Sequence, residues 1–267
     1  MRLVYLGTPD MAVPPLDALV AAGHEVALVV TNPDRRRGRG GKLSPSPVKV
    51  ATERLGIPVS HTVDDVLQAE AELGVVVAFG RLIKPHVLAE LDFVNLHFSL
   101  LPRWRGAAPV ERALLAGDEV TGVCLMQLEE GLDTGGVYDR AEVPIGPDTT
   151  ADDLRRELVE VGTRLLVDRL AAGLGDAEPQ VGEATYAAKI DPAELRIDWS
   201  APAEQIHRLI RLGGAWTTFR GARVKIHAAD VVDGRVEPTV VQPEGKPRLD
   251  YASWRNGARP ADGEWFE

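Results

Sequence analysis

Cysteine is almost missing from this chain: among 267 residues, Cys124 is the single one. One thiol can form neither an internal disulfide nor a cysteine-built metal cluster. In Val123-Cys124-Leu125-Met126 it reads as a small apolar core residue rather than a reactive group. Long apolar runs are also missing, since no stretch approaches the ~20 residues of a membrane-spanning helix. Met1 to Gly7 reads as a first strand and not a signal peptide, because its apolar run is short and meets a turn at once. There is no excess of positive charge. Thirty Lys and Arg against 40 Asp and Glu leave a net charge of −10, which argues against a general nucleic-acid coat and for a soluble, cytoplasmic enzyme. The first strand-helix turn, Gly7-Thr8-Pro9-Asp10, holds one glycine, so neither a dinucleotide fingerprint nor a P-loop is present. Internal repeats and low-complexity tracts are absent from the sequence. No His or Cys stands at ligand spacing from another, so no metal site is expected.

What is present is an alternation. Leu3 to Leu6 and Glu25 to Val30 read as strands around a helix that opens on Pro14 and Pro15, where missing amides cost little. Val75 to Phe79 is a continuous apolar run, as in a central strand covered on both faces. Helices are expected over Val48 to Leu55, Val63 to Leu73, Pro85 to Leu91, Ala108 to Leu115 and Ala151 to Leu170, the last capped by Thr149 or Thr150. This pattern predicts an α/β fold with a doubly wound, mostly parallel sheet. The expected organisation is a domain over 1–180, a Gly- and Pro-containing linker over 181–201, and a small β-rich domain over 202–267. With 45% hydrophobic residues the chain can bury a sizeable core.

The chemistry concentrates in residues 95 to 136. Phe93 to His97 reads as a strand, and period 2 puts Asn95 and His97 on one side of it, near the C-terminal end where open α/β sheets gather ligand groups. Ser99-Leu100-Leu101-Pro102 is too short and stiff for another strand and reads as a shaped wall. Asp133 lies in Gly131-Leu132-Asp133-Thr134-Gly135-Gly136, where glycines permit a tight path with exposed amides. Asn, His and Asp can together hold an oxyanion, move a proton and orient an imidazole. A lone His or Asp is more often structural; His24, His61, His86, His207 and His227 lack comparable company. A second feature is Thr31 to Pro47, with five basic residues and one acidic one between Arg35 and Lys42 and its flanks. Its prolines and glycines predict an exposed, mobile loop without helix or strand. That loop is long for an α/β connection, and its charge opposes that of the whole, which suits a phosphate contact.

Asn95-x-His97, the string Ser99 to Pro102 continuing through Arg103-Trp104-Arg105-Gly106-Ala107-Ala108-Pro109, and Gly131 to Gly135 together resemble the folate-dependent formyltransferases, and within them the tRNA-specific branch. The resemblance implies a Rossmann-like formyltransferase domain followed by a small β-barrel. It implies Asn95, His97 and Asp133 as catalytic residues. 10-formyltetrahydrofolate would be a co-substrate rather than a tightly bound cofactor, met by Ser99, Leu100, Leu101, Pro102, Arg81, Leu82 and Ile83. Methionyl-initiator tRNA would be the acceptor, with Arg39 and Lys42 touching RNA, and a monomer is expected. Residues 202–267 depart from the pattern, because a block of barrel strands before Val240 is missing and the barrel should be incomplete. That departure motivates the alternative acceptor, a small amine such as an amino sugar.

Overall fold

In a computed structural model of the chain, residues 1–37 and 41–267 are described. The chain divides into two units. The first holds Met1–Pro109, Val120–Pro144 and Arg155–Ala187; the second holds Val110–Glu119, Ile145–Leu154 and Ala188–Glu267. The stretch over 181–201 is not uniformly a connector, because its first seven residues belong to the first unit.

The first unit begins with β1 (Arg2–Gly7), α1 (Val13–Ala21), β2 (Glu25–Val30), a two-stranded ribbon of β3 (Arg35–Arg37) and β4 (Lys42–Ser44), α2 (Pro47–Leu55) and β5 (Val59–Ser60). It continues with β6 (Leu73–Val77), the short α3 (Pro85–Leu88), β7 (Phe93–His97) and β8 (Arg105–Gly106). After α4 (Pro109–Ala116), which apart from Pro109 belongs to the second unit, come β9 (Val120–Gln127), β10 (Val137–Pro144), the long α5 (Ala151–Ala172), in the first unit from Arg155 on, and β11 (Tyr186–Ala187). Seven strands form one sheet in the order β10-β9-β7-β6-β1-β2-β5. From β7 to β5 all neighbours run parallel, and β9 runs antiparallel to both β7 and β10. The expected doubly wound, mostly parallel sheet is therefore present.

Burial follows the strand pattern. Val4, Leu6, Val30, Val76 and Phe93 meet Val63, Val66, Ile83, Val87 and Leu91 in one apolar cluster. Each such side chain contributes about 1.5–3 kcal/mol when fully buried. On α5, Leu154, Leu158, Leu166 and Leu170 are buried, at the helical spacing that the sequence displays. Gly162 of α5 brings the helix close to the sheet: a Cβ there would stand 3.0 Å from a Val123 methyl. Thr150 caps α5, its hydroxyl accepting from the Asp153 amide. α2 is framed as locally as a helix can be. Ser46 accepts from the Lys49 amide, Pro47 opens the first turn, and Gly56 closes it at φ 69°.

Three local expectations change. The segment 63–73 is a 3-10 helix over Val63–Gln68, broken by Glu70 at φ 50°. β6 starts at Leu73 rather than Val75, because pairing with β1 begins at Leu3↔Leu73, and it ends where Ala78 turns to φ 46°. The basic segment is not wholly loop. Arg35, Arg36 and Arg37 pair with Ser44, Leu43 and Lys42. The breakers lie outside those two tripeptides, which themselves contain neither Gly nor Pro, so nothing in them opposes a ladder.

In the second unit β12 (Trp216–Phe219), β13 (Ala222–Val232), β14 (Arg235–Pro243) and β15 (Leu249–Asp250) form an antiparallel sheet in chain order. α6 (Ala203–Arg211) and α7 (Tyr251–Ala258) pack with it through Ile206, Ile210 and Trp254. The expected barrel is an open four-stranded sheet. Trp199, Phe219, Tyr251, Trp254, Trp265 and Phe266 stack around one another, with Phe219 and Trp254 centroids 5.0 Å apart. Among the described residues, no helix is long and apolar enough to cross a membrane.

Two outcomes test this packing. A Cβ at Gly74 of β6 would overlap the Phe93 ring, so Gly74→Ala should destabilise the chain by about 1–3 kcal/mol in urea unfolding. In the second unit, the Arg220 guanidinium and the Ala261 amide hold the Glu264 carboxyl at about 2, below its usual 4.5. Because the folded value is the lower one, this contribution is complete above about pH 4.5 and fades toward about pH 2. The Glu264 side chain is only part-buried, so salt should weaken the effect. The unfolding midpoint of Arg220→Met should fall below wild type at neutral pH and converge on it at low pH.

Candidate active site

The site begins on β7. Its five residues are all buried, including two polar ones. Asn95 sits between Val76 of β6 and Met126 of β9, and His97 stands opposite Cys124 of β9. Pairing on both sides fixes the register, and period 2 then turns both polar side chains to one face. Asn95 is 9% exposed and His97 5%. The Asn95 carboxamide makes no hydrogen bond among the described residues, so a buried polar group faces the site with its capacity unspent.

His97 is held by two groups. Nε2 lies 2.9 Å from the Trp104 carbonyl. A carbonyl only accepts, so Nε2 carries the hydrogen and donates it. Nδ1 faces Oδ2 of Asp133 at 3.6 Å, with the Asp133 side chain 12% exposed. The same Oδ2 accepts from the Gly106 amide at 2.7 Å. Oδ1 of Asp133 has no hydrogen-bond partner among the described residues. The three residues expected from sequence are thus brought together, although 36 residues separate His97 from Asp133. What they form is one carboxylate oxygen held by an amide and facing an imidazole 3.6 Å away, with the other oxygen available.

The backbone around this cluster is unusual. Asp133 has φ 52° and Trp104 φ 62°, in the left-handed region that a bulky side chain rarely enters. Gly106, at φ 119°, could not carry a side chain: a Cβ would come within 3.0 Å of the Ala187 carbonyl oxygen. Contacts from far along the chain hold these conformations. The Thr185 hydroxyl accepts from the Trp104 amide at 2.9 Å, and β8 pairs in parallel with β11. Gln180 donates from Nε2 to the carbonyls of Asp133 and Gly135, both at 2.8 Å. Its Oε1 accepts from Arg105 Nε at 3.0 Å and Nη2 at 2.6 Å.

The residues expected to meet folate fall into different places. Ser99 is fully buried and donates to the Arg103 carbonyl at 2.6 Å, closing the turn. Leu101 packs with Cys124, Met126 and Val137, and its amide donates to the Cys124 sulfur at 3.4 Å. Burial pushes the Cys124 thiol up, which leaves it a packing residue. Leu100 and Pro102 are half-buried. Arg81 donates to the His61 carbonyl at 2.8 Å and lies over the Phe79 ring. Leu82 is 80% exposed, whereas Ile83 belongs to the apolar cluster under the sheet.

Of the two expected RNA contacts, Arg39 lies outside the described residues, and Lys42 is exposed on β4. An ion pair of 2.9 Å between Asp34 and Lys49 ties the flank of that ribbon to α2. A buried hydrogen bond of 2.7 Å between the Thr31 and Ser46 hydroxyls does the same. In the second unit, Arg208, Arg211 and Arg220 are engaged with Ala116, Gly146 and Glu264. Arg223 lies 4.0 Å over the Trp216 ring. These arginines are committed to packing rather than arrayed as one basic face.

Sequence reasoning did not single out Trp104, Gly106, Gln180 or Thr185 for a role in the site. The first two lay inside the quoted string. Gln180 and Thr185 carry no local signal, because these partners are 45 to 81 residues away.

Residues 1–170 match the family model described as formyl transferase, and residues 189–239 match that of the formyl transferase C-terminal domain. A methionyl-tRNA formyltransferase from Roseobacter denitrificans is 45% identical, with all of this chain and 99% of that protein covered. That alignment runs over 303 positions, of which the 267 residues here can fill all but about 36. Two solved structures share the fold. A methionyl-tRNA formyltransferase from Clostridium thermocellum has a TM-score of 0.61 and 16% identity, covering 91% of this chain and 98% of its own. An N-formyltransferase from Helicobacter canadensis, complexed with folinic acid and dTDP-3-aminofucose, has a TM-score of 0.68 and 20% identity, covering 87% and 88%. By sequence over its whole length and by fold, the chain belongs to the formyl transferase family.

Proposed function

We propose that the chain transfers the formyl group of 10-formyltetrahydrofolate to the α-amine of methionyl-initiator tRNA. The single observation that carries the chemistry is the cluster of Asn95, His97 and Asp133 at the end of β7, with one amide and one carboxylate oxygen unspent. The acceptor rests on the 45% identity to a methionyl-tRNA formyltransferase over the full chain.

In this reading the amine nitrogen attacks the formyl carbon, and the carbonyl oxygen becomes an oxyanion. Asn95 donates its free Nδ2–H to that oxygen; one such donor is worth about 3–4 kcal/mol of barrier. The Nε2–H of His97 is directed at the Trp104 carbonyl. We therefore assign His97 to proton handling with Asp133. The free Oδ1 of Asp133 accepts the proton that the amine loses as the new C–N bond forms. His97 stands beside the carboxylate, with Nδ1 facing Oδ2 at 3.6 Å. The pair returns one proton to N10 of the folate as the old C–N bond breaks, so protons and charge balance.

Leu100 and Pro102, with the exposed Leu82 nearby in function if not in sequence, would offer apolar surface to a flat pteridine. Ser99, Leu101 and Ile83 would shape that wall from behind, and Arg81 would flank it. Arg39 and Lys42 would meet tRNA phosphates, in a basic stretch of sequence whose charge opposes the chain's net −10. The same reading takes the enzyme to act in the cytoplasm and as a monomer. The organisation proposed remains a catalytic domain over 1–180, a connection over 181–201 and a small domain over 202–267. A second reading, transfer to an amino sugar, is favoured only by the open C-terminal sheet and the roughly 36 unfilled positions.

The deciding assay is formyl transfer to charged initiator tRNA, run beside free amino sugars. Rapid tRNA formylation is expected; tetrahydrofolate release with small amines alone would establish the second reading instead. Asn95→Ala and Asp133→Asn should each lower kcat by ~10²–10³-fold with tRNA affinity kept. Lys42→Ala should weaken tRNA binding and reduce the salt slope of log Kd by about 1, leaving the rate at saturating tRNA intact.

A further inference from the structure

We propose that Gln180 is a positioning residue for the formyl-transfer reaction, its carboxamide tying the Asp133 loop to Arg105. The inference rests on the catalytic reading above and extends it to a residue outside the string from Ser99 to Pro109.

All of the carboxamide's capacity is used, and used across the chain. Two donated hydrogen bonds, each 2.8 Å, reach the backbone carbonyls of Asp133 and Gly135. Two accepted ones come from the Arg105 guanidinium. Arg105 precedes Gly106, whose amide holds Oδ2 of Asp133. Gln180 therefore closes a ring from the Asp133 backbone through Gln180 and Arg105 to Gly106 and back to the Asp133 side chain. The ring encloses the residue that faces Nδ1 of His97 at 3.6 Å. Asp133 sits at φ 52°, a conformation that persists only where surrounding contacts over-determine it. Among the described residues, the Gln180 carboxamide is the only hydrogen-bond donor to its carbonyl.

The residue type matters as much as its place. Both bonded backbone groups are carbonyls and need a donor, whereas Arg105 needs an acceptor. Among side chains, only a carboxamide offers two donors and an acceptor from one planar group. Glutamate keeps length and shape and satisfies Arg105, but it sets a carboxylate against two carbonyls. Methionine keeps the length and neither polar function. Structural packing alone would tolerate either change better than the clamp would.

The test uses the full chain with Gln180→Glu and Gln180→Met. For both variants kcat should fall roughly 10- to 100-fold, as expected when a catalytic carboxylate is displaced by about 1 Å, while KM for either substrate changes less than about threefold. Hydrogen exchange at the Gly106 amide, the donor to Asp133, should accelerate about tenfold or more, while Leu96 in β7 keeps its protection. Unchanged kcat, or unchanged Gly106 exchange in a folded variant, would overturn the inference. If wild type fails to formylate charged tRNA, the acceptor reading falls, and Gly106 exchange in the variants still decides whether Gln180 holds the loop. If neither variant folds, Arg105→Met provides the same test from the other end of the ring, read by the same exchange and rate.

Discussion

A strand buried on both faces cannot carry polar side chains without cost, and β7 carries two. Its pairing with β6 on one side and β9 on the other fixes where Asn95 and His97 stand. A fully buried amide without a partner would cost about 1–3 kcal/mol, and the Asn95 carboxamide is not among the polar groups buried in that way. Val94 and Leu96, fully or nearly fully buried on the opposite side, supply the strand's apolar contacts. The register of β7 is therefore the constraint on which the site depends. A slip of one residue would move Asn95 and His97 into the core and bring Val94 and Leu96 to the cleft.

Around that strand the site is assembled from segments that have little reason to meet locally. The turn from Ser99 to Gly106 supplies a carbonyl for His97 and an amide for Asp133. The Asp133 loop supplies the carboxylate. Residues 178–187 then lock the two together through Gln180, Thr185 and the β8-β11 pairing. Two non-glycine residues in left-handed conformations, Trp104 and Asp133, each cost of order 1–3 kcal/mol. Strain in such a place is useful because it aims a carbonyl and a carboxylate at one imidazole before any substrate arrives.

The second unit solves a different problem. A small sheet that does not close has little area to bury, and aliphatic side chains alone would make a thin core. Aromatic residues bury more area each and add edge-to-face and stacked contacts of ~0.5–1.5 kcal/mol. Four of the chain's five Trp residues lie in this unit, and three of them join its aromatic cluster. The C-terminal residues also take part: Glu267 pairs with Thr218 of β12, so the end of the chain covers a sheet edge that would otherwise be open. These contacts account for a folded unit without the strands that a barrel would add.

The sequence by itself determined the parallel sheet, the side of β7 on which Asn95 and His97 stand, and the glycine-flanked position of Asp133. Those features follow from hydrophobic runs, a period of two and turn chemistry, all legible within a few neighbouring residues. The family was legible too, because its motifs are contiguous strings. Only the tertiary structure decided that His97 directs Nε2 at Trp104, that the segment read as a linker begins as part of the site, and that the basic segment contains a ribbon. It also decided that Ile83 turns inward while Leu82 turns outward. Such outcomes depend on partners tens of residues away, and Gln180 is the clearest case. Nothing in its neighbourhood of Pro179 and Val181 signals a role; its function exists only once Asp133, Gly135 and Arg105 surround one carboxamide.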